Sequence, residues 1–133
     1  DMRRWWKSAQ QADAAHGGLP ALPAPHAVLE LMDGTRIGEL TYSLDARQRA
    51  RLDLKLAAGY CGQGYATEAM RVMLRELFAT TPITAAISEP AAGHERAHRL
   101  LQRCGFHPAP TENHPNRWAC TRADFARAVA PPA

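Results

Sequence analysis

Apolar and polar residues alternate with a period of two in the first half of the chain, which predicts β-strands. An apolar run at 26–32 is followed by the turn-forming pair Asp33-Gly34 and by a second alternating run at 36–42, so a β-hairpin is predicted here. Residues 51–56 alternate charged side chains with leucines, which predicts a third strand with one polar face.

The period changes in the second half, which predicts helices separated by short strands. Apolar residues recur at spacings of three and four between Ala66 and Leu77, the pattern of a helix with one buried face, and this helix should end before Pro82. The same patterns predict a strand at 83–87, a helix at 97–104, a strand at 117–122 and a terminal helix at 123–130. This order implies an α/β fold whose mixed sheet contains at least one crossover.

The chain is long enough for one compact domain. With 133 residues, 46% of them hydrophobic, we expect a single domain over 1–133 with a well-packed core. Glycines and prolines are concentrated at 9–25, which predicts a loop there. No run of residues suits a membrane helix or a signal peptide, so a cytoplasmic protein without a membrane partner is expected.

Charge and cysteine content exclude several classes of function. Sixteen basic and thirteen acidic residues give a net charge of +3, and the basic residues are scattered among acidic ones. A nucleic-acid partner is therefore not indicated. The three cysteines lie far apart and form no Cys-x-x-Cys pair, so reduced, buried thiols are expected.

A glycine-rich segment at 59–68 joins the third strand directly to the first helix. Glycines let the backbone turn tightly and approach a ligand closely, and the first amides of a helix attract anions. A pyrophosphate suits such a turn. The segment has no Lys followed by Ser or Thr, so it is not a Walker loop.

Two separated motifs resemble the GNAT superfamily of acyl-CoA-dependent N-acyltransferases, and the resemblance extends from about Val28 to Phe125. Residues 61–69 look like the family's pyrophosphate turn, and Glu89-Pro90 with residues 94–106 resembles its closing segment, which ends in Gly-Phe. The resemblance implies a mixed, largely antiparallel sheet with a splayed central strand pair and flanking helices. The family's first strand is expected to be missing from this chain.

The resemblance also implies a function. It predicts direct transfer of an acetyl group from acetyl-CoA, a co-substrate, to a primary amine or hydroxylamine of a small molecule. Trp5, Trp6, Glu89-Pro90 and Asn116-Arg117 are similar to the branch that holds siderophore-biosynthesis and aminoglycoside 6'-N-acetyltransferases. An aminoglycoside pocket should be acidic, and five residues could supply that charge: Glu30, Glu39, Asp53, Glu89 and Glu112.

By resemblance, main-chain groups of the third strand and the glycine turn hold the acyl-CoA. The expected cofactor-binding residues are Leu54, Leu56, Cys61, Gly62, Gln63, Gly64, Tyr65, Ala66, Thr67 and His94. Three positions depart from the family pattern. Cys61 replaces an Arg or Gln, His94 replaces an Asn, and Leu101 replaces the Tyr that many members use as general acid.

Two carboxylates are the predicted candidates for the catalytic base. Asp53 and Glu39 lie on strands expected to border the acceptor cleft, among apolar neighbours. For Asp53 the alternative is a solvent-facing strand carboxylate between Arg51 and Lys55. Trp5 and Trp6 could line the acceptor pocket, but adjacent aromatic side chains point to different faces, so at least one of them is expected to pack into the core.

The sequence is also compatible with two other functions. His94-Glu95-x-x-His98 matches the pattern in which two histidines bind zinc and the glutamate activates water, which would suit a zinc hydrolase. Its extended form is absent, and no metal site is predicted. A non-catalytic acyl-CoA-binding domain is the second possibility, because the chain departs from the family pattern at Cys61 and Leu101 and is expected to lack the first strand. An exposed sheet edge would favour a homodimer.

Overall fold

A computed structural model describes the backbone of residues 3–8 and 26–130, and the side chains of residues 27–130. Within these ranges the sheet has seven strands, in the order β1-β2-β3-β4-β5-β7-β6. The strands are β1 (Arg3–Ser8), β2 (His26–Leu31), β3 (Arg36–Leu44), β4 (Arg49–Leu56), β5 (Ala85–Ser88), β6 (His107–Pro108) and β7 (Trp118–Thr121). The helices are α1 (Tyr65–Thr80), α2 (Glu95–Arg103) and α3 (Arg122–Val129).

The sheet is mixed and largely antiparallel, which confirms the predicted fold class. All neighbouring strands run antiparallel except β4 and β5, which run parallel. That parallel pair is short, because only Arg49, Ala50 and Arg51 of β4 are paired with β5. Beyond Arg51 the two strands diverge, and this divergence creates the splayed central pair.

Helix α1 forms because its apolar residues fall on one face. Met70, Met73, Leu74 and Leu77 are buried at helical spacing, and they pack with Leu40 and Leu52 of the sheet. Helices α2 and α3 join the same core through their buried residues Leu101 and Phe125. Each fully buried side chain of this kind contributes about 1.5–3 kcal/mol to folding.

Local hydrogen bonds explain where elements begin. In α3 the Thr121 hydroxyl accepts a hydrogen bond from the Asp124 amide, and the Asp124 carboxylate accepts one from the Thr121 amide. This reciprocal cap starts the helix at residue 122. Similarly, the Asp33 carboxylate accepts a hydrogen bond from the Thr35 amide in the predicted hairpin turn.

Several observed elements differ from the predicted ones: α2 begins at Glu95 rather than at 97, α3 already includes Arg122, and the short strand β6 was not predicted. Ile83 was expected to begin a strand, but β5 begins at Ala85. The Ile83 amide contacts the Thr81 hydroxyl and its carbonyl accepts a hydrogen bond from Arg122, so side chains take the place of strand partners. Strand β1 pairs with β2, whereas the sequence pattern assigned residues 3–8 to neither a helix nor a strand. The predicted loop at 9–25 lies outside the described residues.

None of the three helices is long and apolar enough to cross a bilayer; this observation concerns the described residues alone.

Candidate active site

A cleft opens where β4 and β5 diverge. It has a volume of about 970 Å³ and is bounded by β4, the glycine turn, the end of β5 and helix α2. At its inner end the Ser88 hydroxyl donates a hydrogen bond to the Leu52 carbonyl over 3.3 Å. This side-chain hydrogen bond is the last contact between β4 and β5. Beyond Leu52, the edge of β4 that would face β5 faces the cleft instead.

The main chain of β4 presents polar groups to this cleft. Ala57 donates its amide to the Ile37 carbonyl of β3 at 2.7 Å, whereas the Leu52 carbonyl faces Ser88. Successive residues of a strand direct their amide and carbonyl groups to opposite sides. The main-chain groups of Leu54 and Leu56 therefore face the cleft, where sequence analysis expected acyl-CoA contacts.

The glycine turn forms the next wall. Gly62 and Gly64 have φ angles of +80° and +87°, in the left-handed region that favours glycine. Gly64 is the N-cap of α1 and provides no side-chain cap. The amides of the first helical turn are therefore directed at the loop, and the helix dipole adds a partial positive charge there.

The turn's predicted residues occupy different positions. Cys61, Gly62 and Ala66 line the cleft, and so does His94. The Cys61 thiol was expected to be buried, but its place on the cleft wall leaves it partly exposed. The Gln63 amide group donates to the Gly59 carbonyl at 3.0 Å, which closes the turn on its outer side. The remaining residues, Gly64, Tyr65 and Thr67, do not line the cavity; Tyr65 is buried against Tyr60.

Arg96 is a cleft residue that sequence analysis missed. A methyl group placed on Gly62 would lie 3.9 Å from Cζ of Arg96, so the guanidinium sits beside the turn. A second depression of about 630 Å³ adjoins this point and is lined in part by Cys61, Arg96 and Arg99. The sequence carried one indication of this role, since Arg96 is two residues from His94, within the segment 94–106 that resembles the closing segment of the family.

The two predicted catalytic carboxylates differ in position. Asp53 lines the cleft, is largely exposed, and its Oδ2 lies 3.9 Å from Nζ of Lys55. Glu39 is paired with Lys55 across the β3–β4 ladder, one strand further from the opening, and does not line the cavity. Only one member of the predicted pair therefore reaches the cleft.

Glu89, at the end of β5, is a second carboxylate on the cleft wall. Nδ1 of His114 lies 2.8 Å from its Oε1 and 3.0 Å from its Oε2. Oε1 is also 3.5 Å from Nε of Arg117, which is buried, and 3.6 Å from the guanidinium of Arg51. From the sequence, Glu89 was expected to carry part of the family resemblance and to contribute to an acidic pocket, but not to act in catalysis.

The surroundings of Glu89 favour its ionised form. Partial burial pushes the pKa of Glu89 up, but the hydrogen bond from His114 and the charges of His114, Arg117 and Arg51 outweigh burial, so the pKa falls below its ordinary value. A carboxylate facing the cleft is therefore charged at neutral pH.

The histidines of the zinc-like pattern have other partners. His94 is the N-cap of α2, and its Nδ1 accepts a hydrogen bond from the Ala97 amide. Trp118 donates its indole N–H to Nδ1 of His98 at 2.9 Å, so Nε2 carries the proton that reaches the Ala91 carbonyl at 3.0 Å. No group of three or more potential metal ligands occurs among the described residues, so nothing there supports the zinc hydrolase.

The chain is similar to known acetyltransferases both in sequence and in structure. A sequence model of the family described as "Acetyltransferase (GNAT) domain" matches residues 1–107. The crystal structure of aminoglycoside acetyltransferase AAC(6')-Ib in complex with coenzyme A is similar, with a TM-score of 0.70 at 21% identity over 79% of this chain and 70% of that chain. No curated protein sequence matches.

Two further structures share the fold. Mutant forms of the spermidine/spermine N-acetyltransferase SpeG from Vibrio cholerae have a TM-score of 0.68 at 15% identity, over 91% of this chain and 79% of that chain. An acetyltransferase (GNAT family) from Bacillus anthracis has a TM-score of 0.64 at 15% identity, over 74% of this chain and 66% of that chain. At these identities the likeness extends to the fold alone.

Proposed function

Since this chain belongs to the GNAT acetyltransferase family, we propose that it transfers an acetyl group from acetyl-CoA directly to the amino group of a small molecule. A hydroxylamine is included among the acceptors. One observation supports the proposal most strongly: a single cleft carries a pyrophosphate-type turn on one wall and the ionised carboxylate Glu89 on another. We further propose that residues 1–133 form one such domain.

The donor binds along β4 and the glycine turn. The amides that begin α1, together with Arg96, face the pyrophosphate, because oriented amides and a guanidinium both suit a phosphate. The cleft-facing main-chain groups of Leu54 and Leu56 pair with the amides of the pantetheine arm. The amide of Leu56 also polarises the thioester carbonyl, a role that needs no particular side chain.

The acceptor binds at the Glu89 end of the cleft. We assign the base role to Glu89, because it is held there by His114 and Arg117 and is ionised. Asp53 is the second carboxylate on this side and orients the ammonium group. Glu39 has no direct role in this scheme, because it does not line the cleft.

The chemistry is a direct displacement. The ammonium gives one proton to Glu89, the resulting neutral nitrogen attacks the thioester carbonyl carbon, and a C–N bond forms as the C–S bond breaks. The second proton of the nitrogen passes to the departing thiolate, so coenzyme A leaves as a thiol and no covalent enzyme intermediate forms. Most of the acceleration comes from holding the two reactants together and from stabilising the oxyanion.

Calorimetric titration with acetyl-CoA and with coenzyme A, followed by thiol release against a panel of amines, tests the proposal. Binding with turnover supports it. Binding without turnover for any amine favours a non-catalytic acyl-CoA-binding domain of the same fold. If acetyl-CoA does not bind, the glycine turn is not a pyrophosphate site and the proposal is wrong.

Arg96→Ala is expected to weaken acetyl-CoA binding about ten-fold, because a charge-assisted contact with the pyrophosphate is lost. Calorimetry on acetyl-CoA and on S-acetylpantetheine, which lacks the diphosphate, measures the effect. Only the acetyl-CoA affinity should change. Arg103→Ala is the matched control, since Arg103 is exposed at the far end of the same helix. If wild type and Arg96→Ala bind acetyl-CoA with equal affinity, Arg96 does not contact the pyrophosphate.

Three predictions from the sequence are left for experiment. Homodimer formation through a sheet edge can be measured by light scattering of the purified chain. The cytoplasmic location and a contribution of Trp5 and Trp6 to the acceptor pocket also stay predictions, since the side chains of β1 lie outside the described residues.

A further inference from the structure

The charges on the acceptor side of the cleft are balanced. Four charged side chains, three on β4 and one directly after β5, line it: the cations Arg51 and Lys55 and the carboxylates Asp53 and Glu89. Arg96 adds a third cation at the donor end. The described lining therefore carries more positive than negative groups.

Both carboxylates already have cationic partners of their own. Asp53 lies 3.9 Å from Lys55. Glu89 is shared among Arg51, Arg117 and His114, at 2.8–3.6 Å. One ammonium group can replace one of these cationic partners. A second ammonium group would find no further carboxylate in the described lining of the cleft.

No other acidic residue of the described chain adds negative charge to the cleft lining. The remaining members of the predicted acidic set, Glu30, Glu39 and Glu112, do not line the cleft. Residues 1–26 contain Asp1 and Asp13 against Arg3, Arg4 and Lys7, so that segment adds more basic than acidic residues. The acidic lining predicted for an aminoglycoside pocket is therefore not assembled from the described residues.

We propose that the acceptor is a monoamine: one primary amino group that meets Glu89, with the rest of the molecule uncharged or anionic. This inference rests on the proposed acetyl transfer and specifies its substrate class. A polyamine or an aminoglycoside would bring further positive charges next to Arg51 and Lys55, where like charges repel. An anionic group on the acceptor would instead be attracted by these two side chains.

Three acceptors with the same carbon chain test the proposal: pentylamine, 5-aminopentanoate and 1,5-diaminopentane. They differ only in the far end, which is uncharged, anionic or cationic. Measured by thiol release, kcat/KM should be highest for 5-aminopentanoate and about ten-fold lower for the diamine than for pentylamine. A diamine that equals or exceeds pentylamine overturns the proposal.

Charge reversal in the cleft gives a matched test. Lys55→Glu should raise kcat/KM for the diamine about ten-fold relative to 5-aminopentanoate. Arg47→Glu makes the same change in net charge in the exposed β3–β4 turn, outside the cleft lining, and should leave that ratio unchanged. The same ratio in both variants would show that the cleft charges do not select the acceptor.

Binding decides the matter if none of the three amines turns over. Spermidine and kanamycin are titrated into the protein saturated with coenzyme A, at about physiological ionic strength. A Kd weaker than about 1 mM for both supports the monoamine assignment, and tighter binding of either overturns it. Failure of acetyl-CoA itself to bind is a separate result, which rejects the proposed function rather than the acceptor class.

Discussion

Glu89→Gln is expected to lower kcat about 100-fold at pH 7, because the acceptor amine loses its proton acceptor in the cleft. The wild-type carboxylate is ionised at this pH, since its pKa lies below the ordinary glutamate value. The loss should shrink as the pH approaches the pKa of the acceptor amine, because solvent then supplies the neutral amine. The pH profile of kcat for both proteins measures this.

This pH dependence separates a base from a structural role. The Glu89→Gln substitution would also leave the buried Arg117 without its counter-ion, so some loss of stability is expected, but that loss would lower activity at all pH values alike. Glu89→Asp should recover part of the rate, whereas Glu112→Gln, which changes an exposed carboxylate outside the cleft, should have no effect. A Glu89→Gln enzyme that keeps most of its rate at pH 7 would exclude the role.

Gly62→Val is expected to weaken acetyl-CoA binding about 100-fold. Gly62 has a φ angle of +80°, which a β-branched residue adopts only with strain, so the turn must change shape and its amides lose their common direction. The added side chain would also approach the Arg96 guanidinium. Calorimetric titration with acetyl-CoA measures the loss.

Gly34→Val is a closely matched control. Gly34 has a φ angle of +92° in the β2–β3 turn, and a methyl group placed there would meet no atom within 4 Å. Both variants should lose similar amounts of thermal stability, but only Gly62→Val should lose binding. Unchanged acetyl-CoA affinity in a folded Gly62→Val protein would show that the turn does not hold the donor.

The sequence was sufficient for the parts of the fold that depend on local pattern. Strand β4, helix α1 and the glycine turn between them follow from spacing within about 30 consecutive residues. The main-chain orientation at Leu54 and Leu56 follows from the strand period once β4 is placed. These elements also define the expected donor wall of the cleft.

The acceptor end could not be predicted in the same way. His114 and Arg117 hold Glu89 on the cleft wall and lower its pKa, and they lie 25 and 28 residues further along the chain. Glu39 was chosen because its strand borders the site, but the register places it opposite Lys55 and away from the cavity. The surroundings of Glu89 depend on long-range contacts, and the position of Glu39 depends on strand register. Neither long-range contacts nor register can be recognised from a local sequence pattern.

The cleft has one wall made of main-chain groups, at Leu54, Leu56 and the start of α1, and another made of side chains. Only proline removes a main-chain amide, so most substitutions along the first wall leave its hydrogen-bonding groups in place. On the second wall every substitution changes the chemistry. In evolutionary terms, a lineage can exchange one acceptor for another while its donor stays the same.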